Sequence, residues 1–318
     1  MQEPSPAELV DPVADYFDSM AERDRGSLGP KAVAVVFSGT GGDGTSGARD
    51  VEGPDVPTPP ASGSPIFDAH LHVVDVRFPL KPNRGYLPEP FTPADYRARV
   101  AGLGVVGGAV VSGSFHGFDQ THLEAALTDL GPGFVGVAQL PPDVSDAEIL
   151  RLDALGVRGV RFNLRRGIAH STAEVERLGR RVHDAAGWHT ELYADAADLA
   201  DALDALGALP KLSIDHLGLT AAGLPTVLRL VDRGARVKAT GFGRVDFDVA
   251  DALRRIAAVN PAAPMFGTDL PCTRAPRPFR AADVALVREA LGEQGARLAL
   301  HDNAAGFYLR PSDAGSRV

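Results

Sequence analysis

Two histidines separated by a single residue end an apolar run early in the chain, in the segment Ile66–Val73 that reads IFDAHLHV. Successive side chains of a β-strand point to opposite faces, so His70 and His72 share one face and can converge on a substrate oxygen or a metal ion. The same spacing also occurs at ordinary strand ends. A catalytic interpretation therefore needs partners from other segments.

Polar residues recur where later apolar runs end. The candidates, in chain order, are Ser114, His116, Arg161, Tyr193, His216, Arg244 and Asp269, with Tyr86 in the segment that follows the first run. Taken singly, each has a structural explanation, because buried histidines, solvated arginines and turn-capping aspartates are common. Together they indicate an active site, since polar groups that converge in an otherwise apolar pocket are the usual sign of one.

The elements that must position these residues begin after Pro65, where apolar β-branched runs alternate with segments of helical period. The predicted strands are Ile66–Val73, Val105–Ser112, Phe134–Leu140, Val157–Asn163, Trp188–Ala194, Lys211–His216, Ala235–Gly241 and Ala263–Asp269. Predicted helices include Asp146–Leu155, Ala173–Ala186, Leu199–Leu206, Leu224–Asp232 and Asp248–Val259. Eight such units in about 250 residues predict a (β/α)8 TIM barrel, in which catalytic groups lie at the carboxyl ends of the strands.

Residues 1–65 differ in composition from the rest of the chain and include the stretches SGTGGDGTSG and PDVPTPPASGSP. Glycine, serine and proline at this density predict a partly flexible N-terminal extension in front of a barrel domain of residues 66–318. The glycine-rich stretch lacks the Gly-Lys-Ser/Thr ending of a phosphate-binding loop, so a linker or arm is the better interpretation.

Bulk composition restricts the class of protein. The content of 44% hydrophobic and 23% charged residues is typical of globular proteins, and the net charge of −9 disfavours nucleic acid as a partner. Cys272 is the single cysteine, which excludes an intramolecular disulfide and a cysteine-rich zinc site. We find neither a signal-peptide pattern nor a membrane-spanning run, and expect a cytoplasmic enzyme with a small-molecule substrate. Residues 1–65 could pack across a second copy in a homo-oligomer.

Five segments, FDAHLH, GVRFN, IDHLG, VKATGFGR and FGTDLP, resemble in this order the amidohydrolase superfamily. They are most similar to its amidohydrolase-2 branch, which includes 2-pyrone-4,6-dicarboxylate lactonase and sugar lactonases. The segments SGSFHGFDQ and NAAGFY are also similar to that branch. The resemblance covers the chain from about Ile66 onwards and implies a barrel hydrolase acting on an ester bond. It further implies that Asp269 activates water and that His216 contacts the scissile carbonyl.

The chemistry of these residues agrees with lactone hydrolysis. An aspartate with an unperturbed pKa of about 3.9 is ionised at neutral pH, so Asp269 can serve as the general base. His216, His70 and His72 can donate hydrogen bonds to the developing oxyanion.

Arginine forks bind carboxylates in two-point fashion, so the two arginines among the candidates predict an anionic or oxygen-rich substrate. The predicted substrate contacts are Arg161, Arg244, Tyr193, His116, Ser114 and Tyr86. The family pattern has a further basic residue after strand four, for which Arg165 and Arg166 are candidates with the register shifted by one.

Some of the candidate residues are also of the types that bind a divalent metal ion. A single zinc or manganese ion would use His70, His72 and Asp269, with His216 as a further candidate ligand, and would lower the pKa of its bound water towards about 7. The usual superfamily sites add a histidine at the end of strand five and often a lysine on strand four, where this chain has Tyr193 and Arg161. We therefore expect no required metal, with a mononuclear site as the second interpretation.

Two other functions stay open at this point. The first is a metal-dependent decarboxylase of the same superfamily that acts on an aromatic or unsaturated acid. The second is a catalytically silent barrel that only binds its ligand. The segments IDHLG and VKATGFGR resemble lactonases more than decarboxylases, and a silent barrel has no need of a water-activating aspartate beside histidines.

Overall fold

The computed structural model describes residues 64–166 and 170–310. Eight parallel strands follow one another around a single sheet in chain order, as the sequence predicts for a (β/α)8 TIM barrel. The strands are β1 (Ile66–Leu71), β2 (Val105–Val111), β3 (Phe134–Ala138), β4 (Val157–Asn163), β5 (His189–Tyr193), β6 (Leu212–Ile214), β7 (Arg236–Ala239) and β8 (Pro264–Phe266). The predicted extension of residues 1–65 lies, apart from its last two residues, outside the described residues and stays a prediction.

Backbone hydrogen bonds between β1 and the segment after β8 close the barrel. The Asp269 N–H donates to the His70 carbonyl at 2.8 Å, and the His72 N–H donates to the Leu270 carbonyl at 2.7 Å. Gly267 permits this approach, because a Cβ at that position would lie 2.6 Å from the His70 nitrogen. The closure thus places both histidines of the His-x-His pair against Asp269.

The buried Asp68 carboxylate also stabilises the contact between β1 and the segment after β8. Its Oδ1 accepts the backbone N–H groups of His70 and Thr268 at 3.1 and 2.8 Å. Its Oδ2 accepts the hydroxyls of Thr268 and Tyr96 at 2.6 and 2.9 Å. Four donors on one buried carboxylate leave the two strands little freedom to shift relative to each other.

Helices cover the outside of the barrel, and their ends follow local sequence signals. Ser171 and Glu174 form a capping box, and Gly187 ends the same helix in the left-handed region. The helices are α1 (Pro93–Arg99), α2 (Thr121–Leu130), α3 (Asp146–Ala154), α4 (Thr172–Ala186), α5 (Leu203–Gly207), α6 (Leu224–Asp232), α7 (Val249–Val259), α8 (Ala281–Arg297) and α9 (Asn303–Tyr308). Within the described residues, no helix is long and apolar enough to span a lipid bilayer.

The core has two parts. The larger cluster lies between the strands and the surrounding helices, and a smaller one contains inward residues of β1, β2, β3 and β8 together with α9. In the smaller cluster Tyr308 stacks on Phe67 with ring centres 5.7 Å apart. Polar residues of the barrel interior are thereby separated from one end of the barrel by aromatic side chains.

Strand β4 has the predicted bounds, but β6 and β8 end earlier than predicted, at Ile214 and Phe266. His216 and Asp269 have backbone φ angles of 48° and 61°, in the left-handed region, so neither can continue a strand. The predicted helix Leu199–Leu206 is a 3₁₀ segment, Ala196–Ala202, that leads into α5. The turns after β6 and β8 thus contain two of the candidate catalytic residues.

Candidate active site

A cleft with about 450 Å³ of empty space opens at the carboxyl ends of the strands. Most of the predicted site residues line it: His72, Tyr86, Ser114, Arg161, Tyr193, His216 and Arg244. His70 and Asp269 lie directly beneath these residues, with His70 Nε2 3.3 Å from His72 Nε2 and 3.9 Å from Asp269 Oδ1. The barrel therefore brings side chains of the first, sixth and eighth strand ends together, as the sequence predicts.

Asp269 is almost completely buried, at 1% exposure, and its two carboxylate oxygens differ. Oδ2 accepts a hydrogen bond from Arg244 Nε at 2.7 Å. Oδ1 is buried and has no hydrogen-bond partner among residues 64–166 and 170–310. Burial raises the pKa of this carboxyl group, and the Arg244 guanidinium opposes that shift. One oxygen is thus held in place while the other is available to accept a proton.

His70 and His72 each have a neighbouring group at ring nitrogen Nδ1. His72 Nδ1 donates to the Val111 carbonyl at 2.7 Å, so its Nε2 carries a lone pair and faces the site as an acceptor. The sequence analysis expected His72 to donate to an oxyanion, which this tautomer does not allow. His70 Nδ1 lies 3.1 Å from Lys238 Nζ. Burial lowers the pKa of both rings, to about 3 for His72, which keeps them neutral.

His216 follows β6 at the start of a 3₁₀ turn, His216–Gly218. Its Nδ1 lies 2.8 Å from the Thr240 hydroxyl, and its ring meets those of His70 and Tyr193 edge-on at 4.9 and 5.1 Å. Burial lowers the pKa of His216 well below its usual range. With Nδ1 occupied, Nε2 is the ring nitrogen that remains for a substrate.

Beneath the histidines lies a network of buried charges, of which the sequence analysis included only Arg161 in the site. Arg161 Nη2 contacts Asp215 Oδ2 at 2.8 Å, and Arg161 Nε lies 3.4 Å from Glu191 Oε1. Lys238 Nζ contacts Glu191 Oε2 at 2.5 Å and lies 3.7 Å from Asp215 Oδ1. His189, Glu191 and Tyr193 are spaced two residues apart along β5 and therefore share one face of the strand. This spacing is the signal that could have identified Glu191 from the sequence.

A second group of arginines lies at the rim of the cleft. The Arg274 guanidinium stacks over the Tyr86 ring at 4.4 Å and donates to the Asn83 carbonyl. Asn83 in turn donates to the Arg166 carbonyl at 2.7 Å. Arg166 Nε is buried with no hydrogen-bond partner in the described part of the chain. Burial, followed by the neighbouring Arg166, lowers the pKa of Arg274. The rim is therefore strongly cationic although the chain has a net charge of −9.

The structure keeps His116 away from the other candidates. Its ring stacks on His122 with centres 3.4 Å apart, and its Nδ1 accepts the Gly113 N–H at 3.0 Å. Phe115, which lines the cleft, packs against it at 4.4 Å. His116 therefore does not line the cleft, and the structure gives no support to its predicted role in substrate binding.

The donor set fits a metal ion by spacing but not by charge. Ligand atoms of His70, His72 and Asp269 all lie within 4.8 Å of one another, which makes this trio a candidate metal site. However, a cationic side chain already contacts two of the three donors, Lys238 at His70 and Arg244 at Asp269. A divalent ion would have to bind beside both of these positive charges, each of which opposes it.

Comparison with known proteins matches this chain to a family of hydrolases. A family model described as amidohydrolase matches residues 67–310. The 2-pyrone-4,6-dicarboxylate hydrolase of Comamonas testosteroni is 35% identical over 156 residues, which cover 48% of this chain and 51% of that protein. The 4-sulfomuconolactone hydrolase of Rhizobium radiobacter is 27% identical over 229 residues, which cover 64% of this chain and 75% of that protein.

A solved structure from Pseudomonas putida, a candidate 2-pyrone-4,6-dicarboxylic acid hydrolase, is 26% identical with a TM-score of 0.66. The match covers 78% of this chain and 100% of the solved chain. The chain spans about half the length of the Comamonas testosteroni relative that it matches. The family model, in contrast, extends from β1 to the end of α9 and includes every residue of the cleft.

Proposed function

We propose that this chain, which belongs to the amidohydrolase family, is a hydrolase that opens the lactone ring of a small anionic molecule. The observation on which the proposal rests is the buried Asp269 Oδ1, which has no hydrogen-bond partner among the described residues and lies beside His70 and beneath an arginine-lined cleft. The names of two relatives support it, since both describe hydrolases and both substrate names include further acidic groups.

The reaction begins with a water molecule bound between the His70 and Asp269 side chains. His70 Nε2 and Asp269 Oδ1 are 3.9 Å apart, a separation that one water can bridge with two hydrogen bonds. Asp269 Oδ1 takes a proton from this water as the oxygen bonds to the lactone carbonyl carbon. Arg244, bound to Oδ2, holds the carboxylate in place during the transfer.

His216 stabilises the charge that develops on the carbonyl oxygen. When the Thr240 hydroxyl donates to Nδ1, Nε2 carries the ring proton and can donate to that oxygen. Collapse of the tetrahedral intermediate breaks the bond between the carbonyl carbon and the ring oxygen. The ring oxygen then takes the proton from Asp269, which yields an open-chain hydroxy acid or its keto tautomer and restores the carboxylate.

The distribution of arginines supports an anionic substrate. Arg161 and Arg244, the predicted clamps, are each engaged by a carboxylate of the barrel. Arg166 and Arg274 line the cleft with no carboxylate partner within the described residues. We assign these two to an acidic substituent of the substrate, because clustered guanidinium groups favour carboxylate or sulfonate binding.

The proposed reaction requires no metal. Residues of this chain supply the base, the oxyanion donor and the positive charge, and the candidate trio would hold a cation only against Lys238 and Arg244. The alternative of a metal-dependent decarboxylase gains no support from the relatives, whose names describe hydrolases. The barrel domain boundary at residue 66, the cytoplasmic location and a homo-oligomer stay predictions of the sequence.

A panel of lactones tests the proposal. We expect ring opening, followed by proton release at about neutral pH, of pyrone carboxylates or muconolactones at rates above those of uncharged aldonolactones. A parallel assay for carbon dioxide on aromatic and unsaturated acids should give no gas. Gas release that depends on added zinc, without hydrolysis of any lactone, would show that the protein is a decarboxylase and not a lactone hydrolase.

A further inference from the structure

Lys238 is completely buried in β7, at 0% exposure, and does not line the cleft. Its ammonium group is 3.1 Å from His70 Nδ1 and 2.5 Å from Glu191 Oε2. The hydrolysis proposed above assigns no step to this side chain. A buried charge is costly unless it has a partner or a purpose, so its contact with a candidate catalytic ring needs an explanation.

The contact determines where the His70 proton lies. An ammonium group has three N–H donors and no lone pair, so a ring nitrogen that faces it must be an acceptor. A neutral imidazole that accepts at Nδ1 carries its proton on Nε2. His70 Nε2–H then faces His72 Nε2 at 3.3 Å, an acceptor because His72 Nδ1 donates to the Val111 carbonyl. The same N–H is shared with the water that we place between His70 and Asp269.

The opposite tautomer has two supporting contacts and two opposing ones. Asp215 Oδ1 and Glu191 Oε1 lie 3.5 and 3.8 Å from His70 Nδ1, and either would accept a proton from it. That proton would be directed at the closer Lys238 ammonium. The unprotonated Nε2 atoms of His70 and His72 would also face each other at 3.3 Å, an arrangement that a shared cation would relieve.

We propose that Lys238 is a positioning residue that holds His70 in the Nε2–H tautomer, so that the trio of His70, His72 and Asp269 orients water and does not bind a divalent cation. The functional meaning of this inference rests on the proposed hydrolysis. The tautomer and the metal affinity are measurable without any substrate. The role of Lys238 can therefore be disproved independently of the proposed hydrolysis.

Long-range ¹H–¹⁵N spectra of the histidine-labelled protein test the tautomer directly. In the natural chain we expect His70 Nε2 to resonate as a protonated nitrogen and Nδ1 as an unprotonated one. His72 should show the reverse pattern because of its bond to Val111. A His70 spectrum with the proton on Nδ1 would overturn the inference, whatever the protein does to lactones.

The double variant Lys238→Met with Glu191→Gln removes the ammonium together with the charge that it neutralises, so the barrel is left without a new unpaired carboxylate. We expect His70 to move to the Nδ1–H tautomer, bonded to Asp215. We also expect the affinity for Zn²⁺, titrated calorimetrically, to rise about 10- to 100-fold, the usual size of effects from groups behind metal-binding histidines.

Two controls separate this effect from a general loss of packing. Glu191→Gln alone retains the ammonium and should keep the Nε2–H tautomer and the weak zinc binding. Lys211→Met removes a half-buried lysine, whose ammonium donates to the Phe307 carbonyl at 2.6 Å, and should change neither readout. If the double variant folds but binds zinc no more tightly than the natural chain, the inference is wrong. If it does not fold, the spectrum of the natural chain decides.

Discussion

Cations occur in two regions of this site, in the barrel interior and at the rim of the cleft, and their partners differ. In the interior, Arg161, Arg244 and Lys238 each contact a carboxylate of the chain itself. At the rim, Arg166 and Arg274 have no such carboxylate in the parts of the chain that the structure describes. The interior cations therefore orient catalytic groups, and the rim cations remain available to an anionic ligand.

This difference could not be deduced from residue type. The sequence analysis assigned Arg161 and Arg244 to the substrate because arginine forks bind carboxylates. Both line the cleft, but the structure also pairs each with an aspartate of the chain itself. An arginine that is already neutralised offers a ligand less charge than one that is not. Substitutions in the two regions should thus affect different measurable quantities.

The largest effect is expected from Asp269→Asn. An amide accepts no proton from water, so kcat for lactone hydrolysis should fall by a factor on the order of 10² to 10⁴, with KM changed far less. Steady-state kinetics on an anionic lactone measures both. Asp129→Asn, at a half-exposed aspartate on the surface, is the matched control. Retention of most of the activity by Asp269→Asn would exclude it as the base.

Arg161→Gln should mainly reduce stability. Loss of one partner from a buried ion pair costs about 3–5 kcal/mol, because Asp215 and Glu191 would remain buried beside one fewer positive charge. Urea denaturation followed by circular dichroism measures the change in the free energy of unfolding. A change as small as that of Arg255→Gln, an exposed arginine, would show that the interior network is not needed for the fold.

Arg166→Gln and Arg274→Gln should leave stability nearly unchanged and weaken substrate binding. A hydrogen bond to a charged group contributes about 1.5–3 kcal/mol, so KM for a carboxylated lactone should rise roughly 10- to 100-fold. KM for an uncharged lactone should not change. Equal effects on both substrates would mean that the rim arginines shape the cleft but do not recognise charge.

The smallest effect concerns pH. Asp269 must be ionised to accept a proton, so kcat/KM should fall as the pH drops through its pKa. Burial raises that pKa and Arg244 lowers it, so Arg244→Gln should move the acidic limb of the profile to higher pH. An acidic limb that stays in place or moves to lower pH would separate Arg244 from the titration of the base.

Much of this site followed from one rule, that catalytic side chains lie at the carboxyl ends of barrel strands. The rule identified His70, His72, His216 and Asp269, which the structure brings together. It did not identify Glu191 or Lys238, because both lie within strands and point into the barrel. Finding them from sequence requires the inward face of each strand, and that depends on a register set by tertiary contacts.

His116 shows a different limit. Its position after β2 suggested a place in the cleft, but the chain enters a 3₁₀ turn, Ser114–His116, and its ring turns back onto the Gly113 N–H. The backbone conformation of such a short turn depends on the packing around it, here of Phe115 and His122. Strand-end residues that enter tight turns are thus harder to place than those that continue into open loops.

Hydrolysis of a carboxylated lactone by chelator-treated protein tests the central claim most directly. We predict that an anionic lactone is opened at the same rate before and after removal of metal ions, and with a higher kcat/KM than an uncharged lactone of similar size. Ring opening that disappears on chelation and returns with zinc, or equal turnover of charged and uncharged lactones, would contradict it.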